Sequence, residues 1–196
     1  MNSTSLLVLT PAKVNLILRV LERRPDGFHA IWSLMHTIGL NDELTLTMQP
    51  AAASRIALRC DQAGLAVDHT NLVYRAAELV LARVSRTIDL SISLTKRIPM
   101  GAGLGGGSSD AAATILGLTR LLGLEWSVGQ MAEVGQHLGS DVPFFFVAPA
   151  ACVTGRGEHV RPVQVTGARW IVLVNPGFPV ATKWAYQQLS ATRSGV

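Results

Sequence analysis

The stretch 97-RIPMGAGLGGGSSDAAA-113 sets Gly101, Gly103, Gly105, Gly106 and Gly107 within seven positions, then two serines, an aspartate and a run of alanines. Each glycine costs about 0.5–1 kcal/mol relative to alanine where regular structure would otherwise form, so such crowding needs a conformational reason. The preceding 88-IDLSISL-94 alternates as a strand, and 109-SDAAATILGLTRLLGL-124 reads as a helix opened by a Ser/Ser/Asp capping group and stopped near Gly123. Strand, glycine loop and helix start together make an anion site. The first N–H groups of a helix have no internal partner, its dipole favours negative charge there, and glycine lets the backbone approach a phosphate without an intervening Cβ. Ser108 and Ser109 add hydroxyls for a phosphate oxygen or a magnesium ion. A mobile linker would have no need of a capped helix directly after it.

Two familiar phosphate loops do not fit. A Walker loop ends in Gly-Lys-Ser/Thr, and here Gly107 leads into Ser108. Gly101, Gly103 and Gly106 formally satisfy G-x-G-x-x-G, but a dinucleotide fold wants a buried strand ending in an acid after the helix. Glu125 has about the right spacing and opens 125-EWSVGQ-130, which reads as a loop into another helix.

Other segments carry reactive side chains in less decisive settings. In 11-PAKVNLIL-18, Lys13 and Asn15 share one face of an apolar strand by its period of two. A lone lysine near a strand end is ordinarily solvated and gains a role only beside an anionic site. In 139-GSDVPFFF-146, Asp141 precedes a proline and three phenylalanines, which fits either a turn cap or a catalytic carboxylate. Phe28 and His29, after 25-PDG-27, are by themselves ordinary loop residues, and 154-TGRGE-158 reads as a hairpin turn in which Arg156 could also face phosphate.

The elements that must position these residues are legible in part. Strands are predicted at 6–10, 14–21, 43–48, 55–60 and 88–94, then near 144–153, 159–165 and 169–175. Helices are predicted from an Asn71 N-cap through residue 84, over 109–124 and 127–138, and briefly after Thr182. Strands mixed with helices in this order predict an α+β fold rather than alternating βαβ units. In 196 residues, 48% are hydrophobic and 15% charged, enough apolar character for one core and too much for a disordered chain. The net charge of +4 and pI near 9.6 suit an anionic ligand without requiring nucleic acid. Cys60 and Cys152 lie far apart and form no metal or disulfide pattern, and no apolar run reads as a signal peptide or a membrane span. A cytoplasmic protein is the expectation, with a small-molecule partner and neither nucleic acid nor membrane.

Taken together, 11-PAKVNL-16, 24-RPDGFH-29, 99-PMGAGLGGGSSDAA-112, 139-GSDVPFF-145 and 154-TGRGE-158 resemble the 4-diphosphocytidyl-2-C-methyl-D-erythritol kinases of the GHMP kinase superfamily, in order, from about Leu9 to about Tyr186. The glycine loop marks the superfamily. The Pro-Ala-Lys-Val-Asn-Leu and Pro-Asp-Gly-Phe-His segments are more specific.

The resemblance implies a GHMP kinase N-terminal domain, similar to domain 2 of ribosomal protein S5, with a mixed sheet and helices packed on one side. It implies ATP, with Mg2+, as phosphoryl donor to the 2-hydroxyl of the cytidyl alcohol, a step of non-mevalonate isoprenoid synthesis. Asp141 matches the catalytic aspartate and Lys13 its partner. Pro99, Met100, Gly101, Ala102, Gly103, Leu104, Gly105, Gly106, Gly107, Ser108 and Ser109 match the ATP loop, Ser108 also being a candidate metal ligand. Asn71 and Lys96 match positions near the adenine. Asn15, Phe28, His29, Thr182 and Tyr186 match substrate positions, with Phe28 standing where tyrosine is usual. The family continues into a C-terminal domain with a third glycine-rich motif. The expected division is therefore an ATP-binding domain over 1–175 and the start of a shortened second domain over 176–196. The alternatives are another GHMP kinase acting on a small alcohol, or an inactive nucleotide-binding domain.

Overall fold

A computed structural model describes residues 3–167 and 169–177. Six strands form one mixed sheet: β1 (Thr4–Arg23), β2 (His29–Pro50), β3 (Arg55–Cys60), β4 (Ile88–Thr95), β5 (Ala150–Gly155) and β6 (His159–Pro162). Three helices accompany them: α1 (Leu72–Leu81), α2 (Gly106–Leu121) and α3 (Val128–Gln136). The order β3-β4-β2-β5-β6, with β1 also paired to β2, is antiparallel except for the parallel β3–β4 pair. This is the α+β fold expected.

The long strand β2 organises the sheet. Its first half pairs with β5 and its second with β4, while β1 runs along its other edge. Register places Leu44 opposite Leu94 and Leu46 opposite Ile92, so one sheet face presents a continuous apolar surface. Onto it pack α1 through Val73, Ala76, Ala77 and Val80, and α2 through Ala111, Ala112, Ile115 and Leu118. Fully burying each large side chain of this cluster contributes about 1.5–3 kcal/mol. The small alanines of α2 allow α1 to lie close beside it. The opposite sheet face carries the exposed Ser91 and Ser93 between the buried residues of β4, as period two requires.

Several local expectations are corrected. The predicted strands 6–10 and 14–21 are one strand. Pro11 is accommodated because β1 has a partner on one side only, and the register shifts between Pro11 and Lys13. The strand at 43–48 extends back to His29. The 144–153 segment divides into a 3-10 turn, Val142–Phe146, and β5 from Ala150. Pro143 suits the start of a helical turn, where its missing N–H costs nothing. Residues 169–175 form no strand: Trp170, Val172 and Val174 are almost wholly exposed, and no strand among the described residues pairs with them. The short helix expected after Thr182 lies outside the described residues.

Candidate active site

The glycine loop runs from the end of β4 to α2. Gly101, Gly103 and Gly105 have φ of 68°, 73° and 70°, the left-handed region that disfavours other residues. Helix α2 begins at Gly106, three residues before the predicted start, and its cap is Gly105 with no side-chain hydrogen bond. Ser108, Ser109 and Asp110 are therefore not the capping group expected from the sequence. They lie inside the helix. The first helical bond runs from Ser109 N–H to Gly105 O (2.9 Å), so the N–H groups of Gly106, Gly107 and Ser108 precede it. Such an end presents donors and positive potential to an anion. The Ser109 hydroxyl is buried without a hydrogen-bond partner among the described residues. An orphaned hydroxyl in the first turns of this helix fits a phosphate oxygen, or a cation held with phosphate.

Strand β1 brings Lys13 to this loop. Its backbone N–H donates to Leu104 O (2.8 Å), tying strand to loop. A Cβ on Gly105 would lie 2.8 Å from Lys13 Cγ and 3.1 Å from Lys13 Cε, so the lysine stem crosses directly over this glycine. The Lys13 ammonium, whose side chain is 6% exposed, pairs with the Asp141 carboxylate at 3.3 Å. The lysine is thus not the solvated strand-end residue that such a position ordinarily holds. Asp141 introduces the 3-10 turn but makes no side-chain cap; its carboxylate is turned to Lys13 instead. Gly139 faces the Ser108 hydroxyl, and Gly157 packs against Ser140. The turn holding Asp141 is therefore held between the start of α2 and the β5–β6 hairpin. For Gly105→Ala we expect a loss of about 1–2 kcal/mol from the left-handed backbone alone. Displacement of Lys13 should add about a hundredfold fall in turnover. Thermal unfolding and steady-state kinetics measure the two effects.

The charged turns around Phe28 also meet. Arg24 pairs with Asp26 and Glu158, Arg156 pairs with Asp26, and the Arg156 guanidinium lies 4.4 Å from the centre of the exposed Phe28 ring. One face of Phe28 is thereby covered. Asn15 accepts a hydrogen bond from the Ser33 hydroxyl (3.3 Å). A groove of about 600 Å3 beside Trp32 and Glu158 contains neither Lys13, Asp141 nor the glycine loop.

Two residues matched to adenine positions are committed within the chain. Asn71 caps α1 by accepting from Val73 N–H (2.9 Å) and donates to Ala66 O (2.6 Å). Lys96 turns inward: its ammonium pairs with Asp42 and with Asp110 (2.8 Å), and its side chain is 6% exposed. Asp42 also accepts from Arg97 N–H (2.5 Å) and Ile98 N–H (2.8 Å), and Asp110 accepts from the Thr10 hydroxyl (2.6 Å). Asp42 and Thr10 carry no signal in the sequence, where Asp110 reads only as part of a helix cap. Nothing in the spacing joins these positions. Thr182 and Tyr186 lie outside the described residues.

Burial pushes the Asp110 carboxyl up to about 6, against the pull of the Lys96 ammonium and the Thr10 hydroxyl. The ordinary value is 3.8, so between these limits the folded chain binds more protons than the unfolded one. The penalty of this burial is present above about pH 6 and is relieved as pH falls toward 3.8. Relative to Asp110→Asn, the parent protein should gain stability on acidification through that window, which denaturant midpoints across pH would record.

Strand, glycine loop and helix, with a lysine–aspartate pair across the loop, form an anion-binding domain of the GHMP class, and residues 71–148 match the family described as GHMP kinases N terminal domain. The chain belongs to that superfamily. It is 44% identical over 188 residues to 4-diphosphocytidyl-2-C-methyl-D-erythritol kinase of Geobacter metallireducens, covering 96% of this chain and 66% of the relative. It is 46% identical over 184 residues to the Solibacter usitatus enzyme of the same name, covering 94% and 57%. A crystal structure of 4-(cytidine 5'-diphospho)-2C-methyl-D-erythritol kinase superposes with a TM-score of 0.71 at 37% identity, over 93% of this chain and 63% of that one. Homoserine kinase from Cytophaga hutchinsonii, at 18% identity and a TM-score of 0.59 over 96% of this chain and 65% of that one, shares the fold. Within the superfamily, the chain belongs to the 4-diphosphocytidyl-2-C-methyl-D-erythritol kinase family. It spans about two thirds of the length of the curated relatives it matches. No helix among the described residues is long and apolar enough to cross a membrane.

Proposed function

We propose that the protein transfers the γ-phosphoryl group of ATP to the 2-hydroxyl of 4-diphosphocytidyl-2-C-methyl-D-erythritol, in the cytoplasm, as a step of non-mevalonate isoprenoid synthesis. The observation that carries this reading is the Lys13–Asp141 pair, held over Gly105 at the N-terminus of α2. Phosphoryl transfer asks little covalent work of a protein, and most of the acceleration comes from position and charge. The segment Gly101–Ser109 receives the ATP phosphates on its free N–H groups and the helix dipole. Asp141 accepts the proton of the attacking hydroxyl, and the Lys13 ammonium offsets the charge growing on the acceptor oxygen. The hydroxyls of Ser108 and Ser109 suit magnesium carried on the phosphates, whose chemistry is to neutralise charge on the transferred group.

The cytosine of the acceptor stacks on the open face of Phe28, opposite Arg156, with His29 reading its edge and Asn15, Thr182 and Tyr186 completing the substrate side. In this reading residues 1–175 form the ATP-binding domain, and 176–196 begin the next.

The test offers the protein ATP labelled in its γ-phosphate together with the cytidyl alcohol, homoserine or mevalonate in separate reactions. Label on the cytidyl alcohol alone is the expected result. Label on homoserine or mevalonate instead, or on none of the three by a folded protein that binds ADP, overturns the assignment.

A further inference from the structure

The buried charges beneath the glycine loop are not required by the chemistry proposed for Lys13 and Asp141, yet they fasten both ends of that loop. At its entry, Asp42 of β2 accepts the N–H groups of Arg97 and Ile98. At its exit, a Cβ on Gly106 would meet Ile98 Cγ2 at 3.0 Å and the Lys96 ammonium at 3.2 Å, so residues 96 and 98 lie against the first helical residue. Lys96 then bridges to Asp110, one turn further along α2, and Thr10 of β1 holds the second oxygen of that carboxylate. The ammonium thus joins β2, through Asp42, to α2, through Asp110, and both carboxylates are almost wholly buried.

We propose that Lys96, with Asp42 and Asp110, is a positioning residue that keeps residues 99–106 in the anion-binding conformation and thereby sets nucleotide affinity, rather than contacting the base through its ammonium. This rests on the reading of the loop as the ATP phosphate site. The physical reason is entropic. A loop with glycines at 101, 103 and 105 has many alternative conformations, and a ligand that must order it loses affinity by that ordering free energy. A charge cluster that fixes both ends before binding removes part of this cost. Gly106 serves the same arrangement, since a side chain there would crowd both Ile98 and the ammonium.

Asp110→Asn keeps the side-chain shape and leaves Lys96 paired with Asp42, so it tests the proposal without leaving an unpaired buried charge. ADP binding followed by titration calorimetry should weaken about tenfold, the scale of one charge-assisted hydrogen bond. Hydrogen exchange of the amides of residues 100–107, measured without nucleotide, should accelerate by a similar factor while that of α1 is unchanged. Unchanged exchange in the loop, or acceleration spread equally over α1, overturns the positioning role. So does unaltered ADP affinity when the parent protein binds ADP. If the parent protein does not bind ADP, the phosphate-site reading fails, and with it the inferred effect on affinity. The exchange measurement still decides whether the cluster holds the loop.

Discussion

Asp141→Asn should lower turnover about a thousandfold at saturating substrates, within the range that a positioned general base contributes. Asparagine matches aspartate in shape and can still accept a hydrogen bond from Lys13, whose ammonium lies 3.3 Å from the carboxylate. What it cannot do is take the proton of the acceptor hydroxyl. The expected cost in stability is small, about 1 kcal/mol, because the Asp141 side chain is 30% exposed and the lysine keeps a polar neighbour. Turnover and stability should therefore separate: a steep fall in transfer of labelled phosphate, with little change in thermal midpoint. Lys13→Ala should lower turnover as severely, but with a larger structural effect, since it removes the stem that covers Gly105. Near-normal turnover in either variant would remove that residue from the proposed chemistry.

Lys96→Met should destabilise the fold by about 3–5 kcal/mol, the usual cost of removing one partner from a buried ion cluster. Methionine fills much of the lysine's volume, so packing changes little. Asp42 and Asp110, both almost completely buried, would be left close together without a cation. Denaturant unfolding measures the loss. Acidification should shrink it, because burial already favours the protonated Asp110 carboxyl, which then no longer repels its neighbour. A loss below about 1 kcal/mol would place the triad in a well-solvated setting and contradict the burial on which the positioning role depends.

These two expectations differ in how far they can be read along the chain. Elements whose signals are local appear where periodicity puts them. Strand β3 covers the predicted residues, and α1 begins after the predicted Asn71 cap. Helix α3 follows Ser127 within the predicted segment, with a reciprocal capping box to Gln130. The first half of β2 was not legible because both its faces are apolar: Ile31 and Met35 are buried, while Trp32 and Leu34 on the other face stay partly exposed. Without alternation, a strand has no period to find. The helix start was misplaced because Ser108 and Ser109 have the chemistry of caps, whereas the left-handed backbone of Gly105 stops the chain from needing one.

The sequence by itself determined the phosphate loop, the α+β class and the family, because each rests on neighbouring residues or on segments read in order. Only the tertiary structure decided what the charged residues do. Lys13 lies against Gly105 and Lys96 against Gly106, one turned to Asp141 and the other to Asp42 and Asp110. Asp42 and Lys96 are 54 positions apart, and Thr10 and Asp110 are 100 apart. No spacing rule links residues so distant. Their pairing follows from a sheet that lays β1 and β2 under the start of α2, where low dielectric makes each buried charge require a partner.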